Sequence, residues 1–147
     1  MVRGEKTLIE ITSSRIDAKP LYDFVLTERA GAVDIFVGTV RNVFEERPVT
    51  SIEYHAYPEM AERVLAGIVE RAFAQWPIER AAVQHHIGHL KLTEASVIIA
   101  VSSAHRDEVF HACRFIIEEI KLLAPIWKKE FFADGTVDWK YSGSKFS

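Results

Sequence analysis

The stretch that decides the fold, residues 102–130, reads SSAHRDEVFHACRFIIEEIKLLAPIWKKE. It predicts the end of a strand, then His105 and Arg106, then a helix that carries Lys121 to a stop at Pro125, and then a further extended segment. Two groups of cationic side chains therefore bracket one helix. Because anion sites are commonly built at helix termini, a bound phosphate or carboxylate is the first hypothesis for this region.

Length and composition bound the class of protein. The 147 residues are 48% hydrophobic, and a domain of this size buries enough surface to fold without disulfides or a structural metal. The formal net charge of −3 argues against a sequence-independent nucleic-acid binder, which needs a basic surface to displace counterions. We therefore predict a single domain over residues 1–147, with a flexible tail at 142–147, in which any recognition of phosphate is local.

The sequence carries no signal for export or for insertion into a membrane. Its single cysteine, Cys113, cannot form an internal disulfide, and residues 1–10 lack the apolar core of a signal peptide. No apolar run reaches the ~20 residues that a membrane span requires. We expect a cytoplasmic protein that binds neither membranes nor nucleic acid.

Hydrophobic periodicity and turn residues divide the rest of the chain into strands and helices. Residues 31–41 and 50–57 read as strands, and we expect them to pair as a long hairpin around the polar loop 42–48, which could act as a lid. The helix at 107–124 has a predicted buried stripe of Val109, Cys113, Ile116, Ile120 and Leu123. The other predicted elements are strands at 7–12, 81–90 and 95–103, helices from Pro20 to about Glu28 and at 59–75, and a closing hairpin of 126–132 and 136–141.

The cations around the helix at 107–124 have two interpretations each. His105 and Arg106 suit a phosphate at a strand-to-helix junction, and the alternative is that they only cap the turn and meet solvent. Lys121 lies at the edge of the buried stripe, so we expect its amine to be partly desolvated, whereas the alternative is a lysine that only complements the helix dipole. Lys128 and Lys129 are adjacent on an extended segment and face opposite ways, so only one is expected to share a pocket with Lys121.

Other reactive residues favour structural interpretations. Nothing electropositive adjoins Cys113 in sequence, which predicts a buried small hydrophobe and not a nucleophile. His85 and His89 share one face of the predicted strand while His86 points away, and no further ligand lies at the right spacing, so we predict no metal site. The sequence also lacks a nucleophile elbow, a P-loop and a dinucleotide-binding glycine motif, which excludes the commoner motif-bearing enzymes.

Several short segments carry a family signature through their order and spacing. They are Phe36-Val37-Gly38-Thr39-Val40-Arg41-Asn42, Glu53-Tyr54, Ala56-Tyr57, Met60-Ala61, Ile87-Gly88, Val101-Ser102-Ser103-Ala104-His105-Arg106, and Lys121 followed by Pro125-Ile126-Trp127-Lys128-Lys129-Glu130. Each segment alone is modest evidence. Together, over roughly residues 31–139, they resemble the large, catalytic subunit of molybdopterin synthase.

The resemblance implies a fold, an activity and a partner. The fold would be α+β and α/β-hammerhead-like, with a mixed, mostly antiparallel sheet, two long amphipathic helices and a short C-terminal hairpin. The activity would be that of a sulfurtransferase in molybdenum cofactor biosynthesis, which converts cyclic pyranopterin monophosphate (precursor Z) to molybdopterin without a cofactor of its own. The two sulfurs of the dithiolene would come from the C-terminal Gly-Gly thiocarboxylate of a small ubiquitin-like partner subunit.

The resemblance also implies roles for individual residues. Lys121 and Lys128 would be catalytic, receiving the thiocarboxylate tail and assisting proton transfer as the cyclic phosphate opens. Lys129 and Glu130 would line the same pocket. Cations suit such a site because two anions must meet there against their mutual repulsion. The residues that would hold the pterin phosphate are Thr39 and Val40 through their backbone, Arg41, His105 and Arg106.

Helix geometry adds an expectation that is independent of the resemblance. At about 1.5 Å per residue the helix after Arg106 is roughly 25 Å long, too far for His105 and Lys121 of one chain to grip the same small substrate. We therefore predict a homodimer in which His105 and Arg106 of one protomer complete the site of the other, with an apolar patch of Phe115 and Leu122 at the interface. The family's arrangement, a homodimer of large subunits within a heterotetramer, is compatible with this.

Two other functions remain open from the residues alone. A phosphoesterase could use His105 as a general acid or base. A non-catalytic α+β module could use the same cations to hold a nucleotide or another phosphorylated metabolite. Only the sulfurtransferase would consume the sulfur of a thiocarboxylated partner, so that reaction separates the three.

Overall fold

Two β-sheets and three helices make up residues 1–141, the part of the chain that the computed structural model describes. The predicted flexible tail at 142–147 lies outside these residues. No helix within residues 1–141 is long and apolar enough to cross a membrane. The elements are β1 (Val2–Arg3), β2 (Thr7–Thr12), α1 (Ala18–Val25), β3 (Ala32–Thr39), β4 (Val43–Phe44), β5 (Arg47–Ala56), α2 (Pro58–Gln75), β6 (Ile78–His86), β7 (Gly88–Lys91), β8 (Ala95–Ser103), α3 (Arg106–Leu123), β9 (Ile126–Phe132) and β10 (Val137–Tyr141).

The first sheet forms the centre of the molecule, with strand order β1-β2-β6-β8-β3. Its one parallel pair is β2 with β6, and its other neighbours are antiparallel. Helix α1 packs on one face through Leu21 and Val25, and α2 and α3 pack on the other face. Because both faces are covered, eight of the nine residues of β8 are buried, which explains the long apolar run in its sequence.

The second sheet has the order β10-β9-β5-β4, and β7 also pairs with β5. Strand β9 follows α3 across Ala124 and Pro125, and its hairpin with β10 turns at Gly135, whose φ of 87° suits glycine. The predicted α+β, hammerhead-like class is therefore confirmed. The two long helices and the closing hairpin also lie where the sequence predicts them.

The predicted hairpin of residues 31–41 with 50–57 is wrong, because these strands belong to different sheets. Strand β3 pairs with β8, and β5 pairs with β9. The chain leaves the first sheet at Val40, whose N–H donates to the Glu94 carbonyl at 3.0 Å. The predicted loop 42–48 instead contains β4 and a tight turn at Glu45 and Glu46, whose φ values of 49° and 65° are left-handed.

Three further predictions need correction. The predicted strand 81–90 is two strands, β6 and β7, which separate just before Gly88, a residue with a φ of 108°. The two strands lie in different sheets, so His85 and His89 do not share a face. Helix α1 ends at Val25 rather than near residue 28. Leu123 is exposed, because α3 ends there and the next residue, Ala124, is the one that turns into the core.

Candidate functional site

A cleft of about 470 Å³ lies between the two sheets and the C-terminal half of α3. Among the described residues, four cationic side chains line it, and one carboxylate, that of Glu130, lies among them. We call this space the cationic cleft. The four cations are Arg41, which follows β3, Lys121 in the last turn of α3, Lys128 on β9 and Lys140 on β10.

The two lysines predicted to be catalytic share this cleft, and both ammonium groups are partly desolvated. Lys121 is an exposed residue, yet the groups packed around its ammonium take away part of its water and lower its pKa. Burial also lowers the pKa of Lys128; Glu130 opposes that shift, and the positive charges of Lys121, Lys140 and Arg41 add to it. A lysine in such surroundings gives up its proton more readily than an exposed one, which suits it to proton transfer.

Lys140 and Phe44 are cleft residues that the sequence analysis missed. The Lys140 Nζ lies 3.1 Å from the centre of the Phe44 ring, and the Lys128 Nζ lies 5.5 Å from the same point. Lys140 stands directly opposite Lys128 in the β9–β10 pair. The sequence signal for it was available, since counting outward from the turn at Gly135 places residue 140 beside residue 128.

Glu130 lies in the cleft as predicted, whereas Lys129 does not. Glu130 is 2% exposed, and its Oε1 is 3.6 Å from the Lys140 Nζ. Lys129 is on the opposite face of β9, where its Nζ lies 5.1 Å from the Phe131 ring and 5.3 Å from the Trp139 ring. The expectation that Lys129 lines the pocket is therefore wrong for this protomer, because successive side chains of a strand point to opposite faces.

Tyr54 and His85 form part of the buried floor of the cleft. Their rings meet edge to face with centroids 5.0 Å apart, and burial raises the pKa of Tyr54. Burial lowers the pKa of His85 to about 4, so its ring is neutral at pH 7 and Nδ1 donates to the His86 carbonyl at 2.8 Å. Within residues 1–141, no three His, Cys, Asp or Glu side chains are grouped so as to hold a metal ion.

His105 and Arg106 are not in the cationic cleft of their own chain. They lie at the N-terminus of α3 beside a separate depression of about 440 Å³, which Gly31, Ala104 and Asp107 also line. His105 is the N-cap residue, but its side chain makes no capping hydrogen bond. One protomer therefore gathers Lys121, Lys128 and Arg41, and leaves His105 and Arg106 at the far end of the same helix.

The backbone around Thr39 is only partly free to bind a ligand. Thr39 is exposed at the end of β3 and lines the cleft. The Val40 N–H is occupied by the Glu94 carbonyl, and the Val40 carbonyl accepts from the Thr93 N–H at 2.7 Å. Within one protomer, the phosphate contact predicted for the Val40 amide would require the hydrogen bond from the Val40 N–H to the Glu94 carbonyl to break.

A second cavity, of about 610 Å³, lies on the outer face of the second sheet. Its lining includes Tyr57, Trp127 and Trp139 together with His55 and Ala56. The Trp139 and His55 rings lie 5.2 Å apart, and Trp127 contacts Tyr57 edge to face. None of the lysines and arginines within residues 1–141 lines this cavity, so it offers aromatic contacts where the cleft offers charge.

Two other sequence predictions concern α3. Cys113 is buried as predicted, and burial together with the nearby Asp34 carboxylate raises the pKa of its thiol, so it is a poor nucleophile. The predicted patch of Phe115 and Leu122 is wrong, because Phe115 is partly buried against Trp76 at a ring distance of 5.4 Å. Leu122 remains exposed.

Comparisons with known proteins point in one direction. Residues 11–122 match the family described as MoaE protein. Over 142 residues the chain is 43% identical to the molybdopterin synthase catalytic subunit of Arabidopsis thaliana, an alignment that covers 95% of this chain and 71% of that protein. The X-ray crystal structure of molybdopterin synthase from Staphylococcus aureus is similar at a TM-score of 0.85 with 35% identity, covering 95% of this chain and 98% of that chain. The same fold occurs in the protein–protein complex of subunits 1 and 2 of the molybdopterin-converting factor from Helicobacter pylori, at a TM-score of 0.69 with 18% identity, covering 95% of this chain and 91% of that chain.

Proposed function

Because the chain belongs to the MoaE protein family of molybdopterin synthase catalytic subunits, we propose that it transfers sulfur to cyclic pyranopterin monophosphate in the cationic cleft. The observation that carries this proposal is that Arg41, Lys121, Lys128 and Lys140 line one cleft of about 470 Å³. A cleft of that volume suits a small phosphorylated ligand. Its positive charge offsets the repulsion between an anionic substrate and an anionic sulfur donor.

The sulfur donor in this proposal is a small ubiquitin-like subunit that carries a thiocarboxylate on its C-terminal Gly-Gly. The two-subunit complex named for the Helicobacter pylori relative supports a partner of this kind. An extended glycine tail is narrow enough to enter a cleft beside a bound substrate. The ammonium groups of Lys121 and Lys128 would then bind its negative terminus.

The lysines also supply the proton chemistry. As the thiocarboxylate sulfur forms its bond to a carbon of the substrate, the C–O bond of the cyclic phosphate ester breaks and its leaving oxygen needs a proton. Water then hydrolyses the thioester between substrate and partner, which leaves the sulfur on the substrate and a carboxylate on the partner, and a second thiocarboxylated partner supplies the second sulfur. Lys121 and Lys128, whose pKa values burial lowers, can donate that proton. Arg41 and Thr39, at the end of β3, would hold the phosphate, the ligand best matched by a guanidinium fork.

His105 and Arg106 would complete the site from a second protomer. They lie in a depression separate from the cationic cleft, at the other end of α3. An antiparallel homodimer within a heterotetramer would bring them to the partner's Lys121. Mixed dimers of a His105→Ala/Arg106→Ala chain with a Lys121→Ala chain would then contain one intact site and one doubly defective site, so we expect about half of the wild-type activity per dimer. No recovery over either parent would contradict shared sites.

The direct test is a reaction of the purified chain with the thiocarboxylated partner and cyclic pyranopterin monophosphate, followed by mass spectrometry. We expect molybdopterin to form with loss of the partner's sulfur. Lys121→Ala should slow it about a hundredfold, the usual scale for loss of a proton-transfer group. Lys19→Ala, which removes an exposed lysine paired with Asp23, is the control. Wild-type rates from Lys121→Ala would remove the central residue of the proposal.

Family membership favours this reaction over the two alternatives, a phosphoesterase and a binding module without a sulfur-carrier partner. Neither alternative has support among the relatives.

We place the reaction in the cytoplasm, in keeping with a single cysteine that is buried and unpaired.

A further inference from the structure

Lys140 adds to the positive charge of the cationic cleft, but the proposed reaction gives it no contact with a reactant. It lies on β10 opposite Lys128, and its side chain is 23% exposed. Its Nζ lies against the Phe44 ring at 3.1 Å from the centroid, a distance at which the ring stabilises a cation. Lys140 is therefore held in place by Phe44 rather than free in solvent.

The Lys140 ammonium forms an ion pair with the Glu130 carboxylate. Glu130 is 2% exposed, and its Oε1 makes no hydrogen bond within the described residues. A buried carboxylate without a counter-charge is strongly unfavourable, so Glu130 needs a cation. The Lys140 Nζ lies 3.6 Å from that oxygen.

Two lysines compete for this one carboxylate. Lys128 is two residues from Glu130 on the same face of β9, and Glu130 is among the charges that act on its ammonium. The neighbouring carboxylate is paired elsewhere, because Asp138, opposite Glu130, accepts a hydrogen bond from Arg47 at 2.8 Å. In the described residues it is Lys140, and not Lys128, that is paired with Glu130.

We propose that Lys140 is a positioning residue of the cleft: it holds the Glu130 carboxylate and thereby leaves the Lys128 ammonium available to anionic reactants. The inference rests on the proposed function of the cleft. Without Lys140, Glu130 turns to Lys128 and forms an ion pair with it. Lys128 then binds its proton more tightly and meets substrate less often.

The test compares Lys140→Met, Lys140→Arg and the double variant Lys140→Met/Glu130→Gln in the sulfur-transfer assay. We expect Lys140→Met to lower kcat/KM about tenfold and to move the alkaline limb of the pH–rate profile to higher pH. Lys140→Arg keeps the charge and should stay within about threefold of the wild type. The double variant removes the carboxylate that captures Lys128, so it should recover most of the loss. Lys19→Met, which breaks an exposed lysine–carboxylate pair far from the cleft, is the matched control.

A second measurement does not depend on turnover. The pH dependence of Lys128 acetylation, followed by mass spectrometry on the folded protein, reports the proton affinity of its amine. We expect a shift to higher pH in Lys140→Met and a return towards the wild type in the double variant. If the wild type makes no molybdopterin, the proposed function fails, while acetylation still tests the pairing. Wild-type kcat/KM in Lys140→Met, or unchanged Lys128 acetylation, would overturn the inference.

Discussion

The two faces of the β9–β10 hairpin are built from the same strands and have opposite chemistry. The inner face carries Lys128, Glu130 and Lys140 into the cationic cleft, whereas the outer face carries Trp127, Lys129, Trp139 and Tyr141. On the outer face the rings of Trp127 and Tyr141 lie 4.8 Å apart. The difference shows that the alternation of side chains along two strands is enough to place a charged surface and an aromatic surface on opposite faces of one hairpin.

The largest fall in kcat should come from removing Lys128, the member of the adjacent pair at 128 and 129 that lies on the inner face. Lys128→Ala deletes a desolvated ammonium from the cleft, so we expect kcat to fall about a hundredfold or more in the sulfur-transfer assay. The fold should persist, because Lys128 is only partly buried. Circular dichroism and thermal unfolding would check this, and retention of more than a tenth of wild-type kcat would contradict the assignment.

A smaller effect should follow from loosening the cleft wall without touching a cleft cation. Arg47 donates to Asp138 at 2.8 Å and to the Thr136 hydroxyl at 2.6 Å, and its guanidinium lies 3.6 Å from the Phe132 ring centre. Arg47→Ala should lower the free energy of unfolding by about 1–2 kcal/mol and reduce kcat/KM severalfold. Urea unfolding and steady-state kinetics measure the two quantities, and a loss of activity as large as that of Lys128→Ala would contradict this ranking.

The cationic cleft, which Lys121 of α3 lines together with the inner face, should also differ from the outer face in its dependence on pH. Burial lowers the pKa of Lys121, so between that lowered value and the ordinary value of 10.5 the unfolded chain binds more protons than the folded one. Because of this group, the free energy of unfolding of the wild type rises with pH across that window. Lys121→Met should be more stable than the wild type at neutral pH and should lack that rise. Urea unfolding at several pH values tests the sign; a destabilised variant at pH 7 would contradict it.

The smallest effect should come from the outer lysine. Lys129→Ala removes an ammonium that lies over Phe131 and Trp139, away from the cleft, so we expect kcat to change by less than about threefold. The comparison with Lys128→Ala uses two adjacent residues of the same type on the same strand. Equal losses from both would mean that the two faces are not chemically separate.

The sequence predicted the region from β8 to β9 well because its signals are local. The buried run of β8, the 3.6-residue period of α3 and the proline stop at Pro125 each follow from neighbouring residues, and the structure confirms them. That local order predicted that one of Lys128 and Lys129 shares a pocket with Lys121, and the family resemblance indicated Lys128, which the structure places in the same cleft. Helix length also correctly separated His105 from Lys121 within one chain.

The errors came from contacts between residues distant in sequence. Nothing near residues 31–57 states that β3 pairs with β8 and β5 with β9, since either pairing buries similar apolar side chains. The break at Gly88 was hidden in a segment that read as one continuous strand, where one glycine marked a change of sheet. Phe44 was missed for the same reason, because its position in the cleft depends on how β4 and β5 pair, whereas Lys140 could have been placed by counting from the turn at Gly135.

The turn at Glu45 and Glu46 makes β4 the part of the cleft wall that we expect to open most easily. Both residues adopt left-handed backbone angles that side chains with a Cβ disfavour, and the turn holds β4, whose Phe44 lies against Lys140. The two-residue strand β4 bonds to β5 alone at the sheet edge. Hydrogen exchange should therefore begin at β4, with amides replaced by deuterium there before the ladder between β5 and β9 opens.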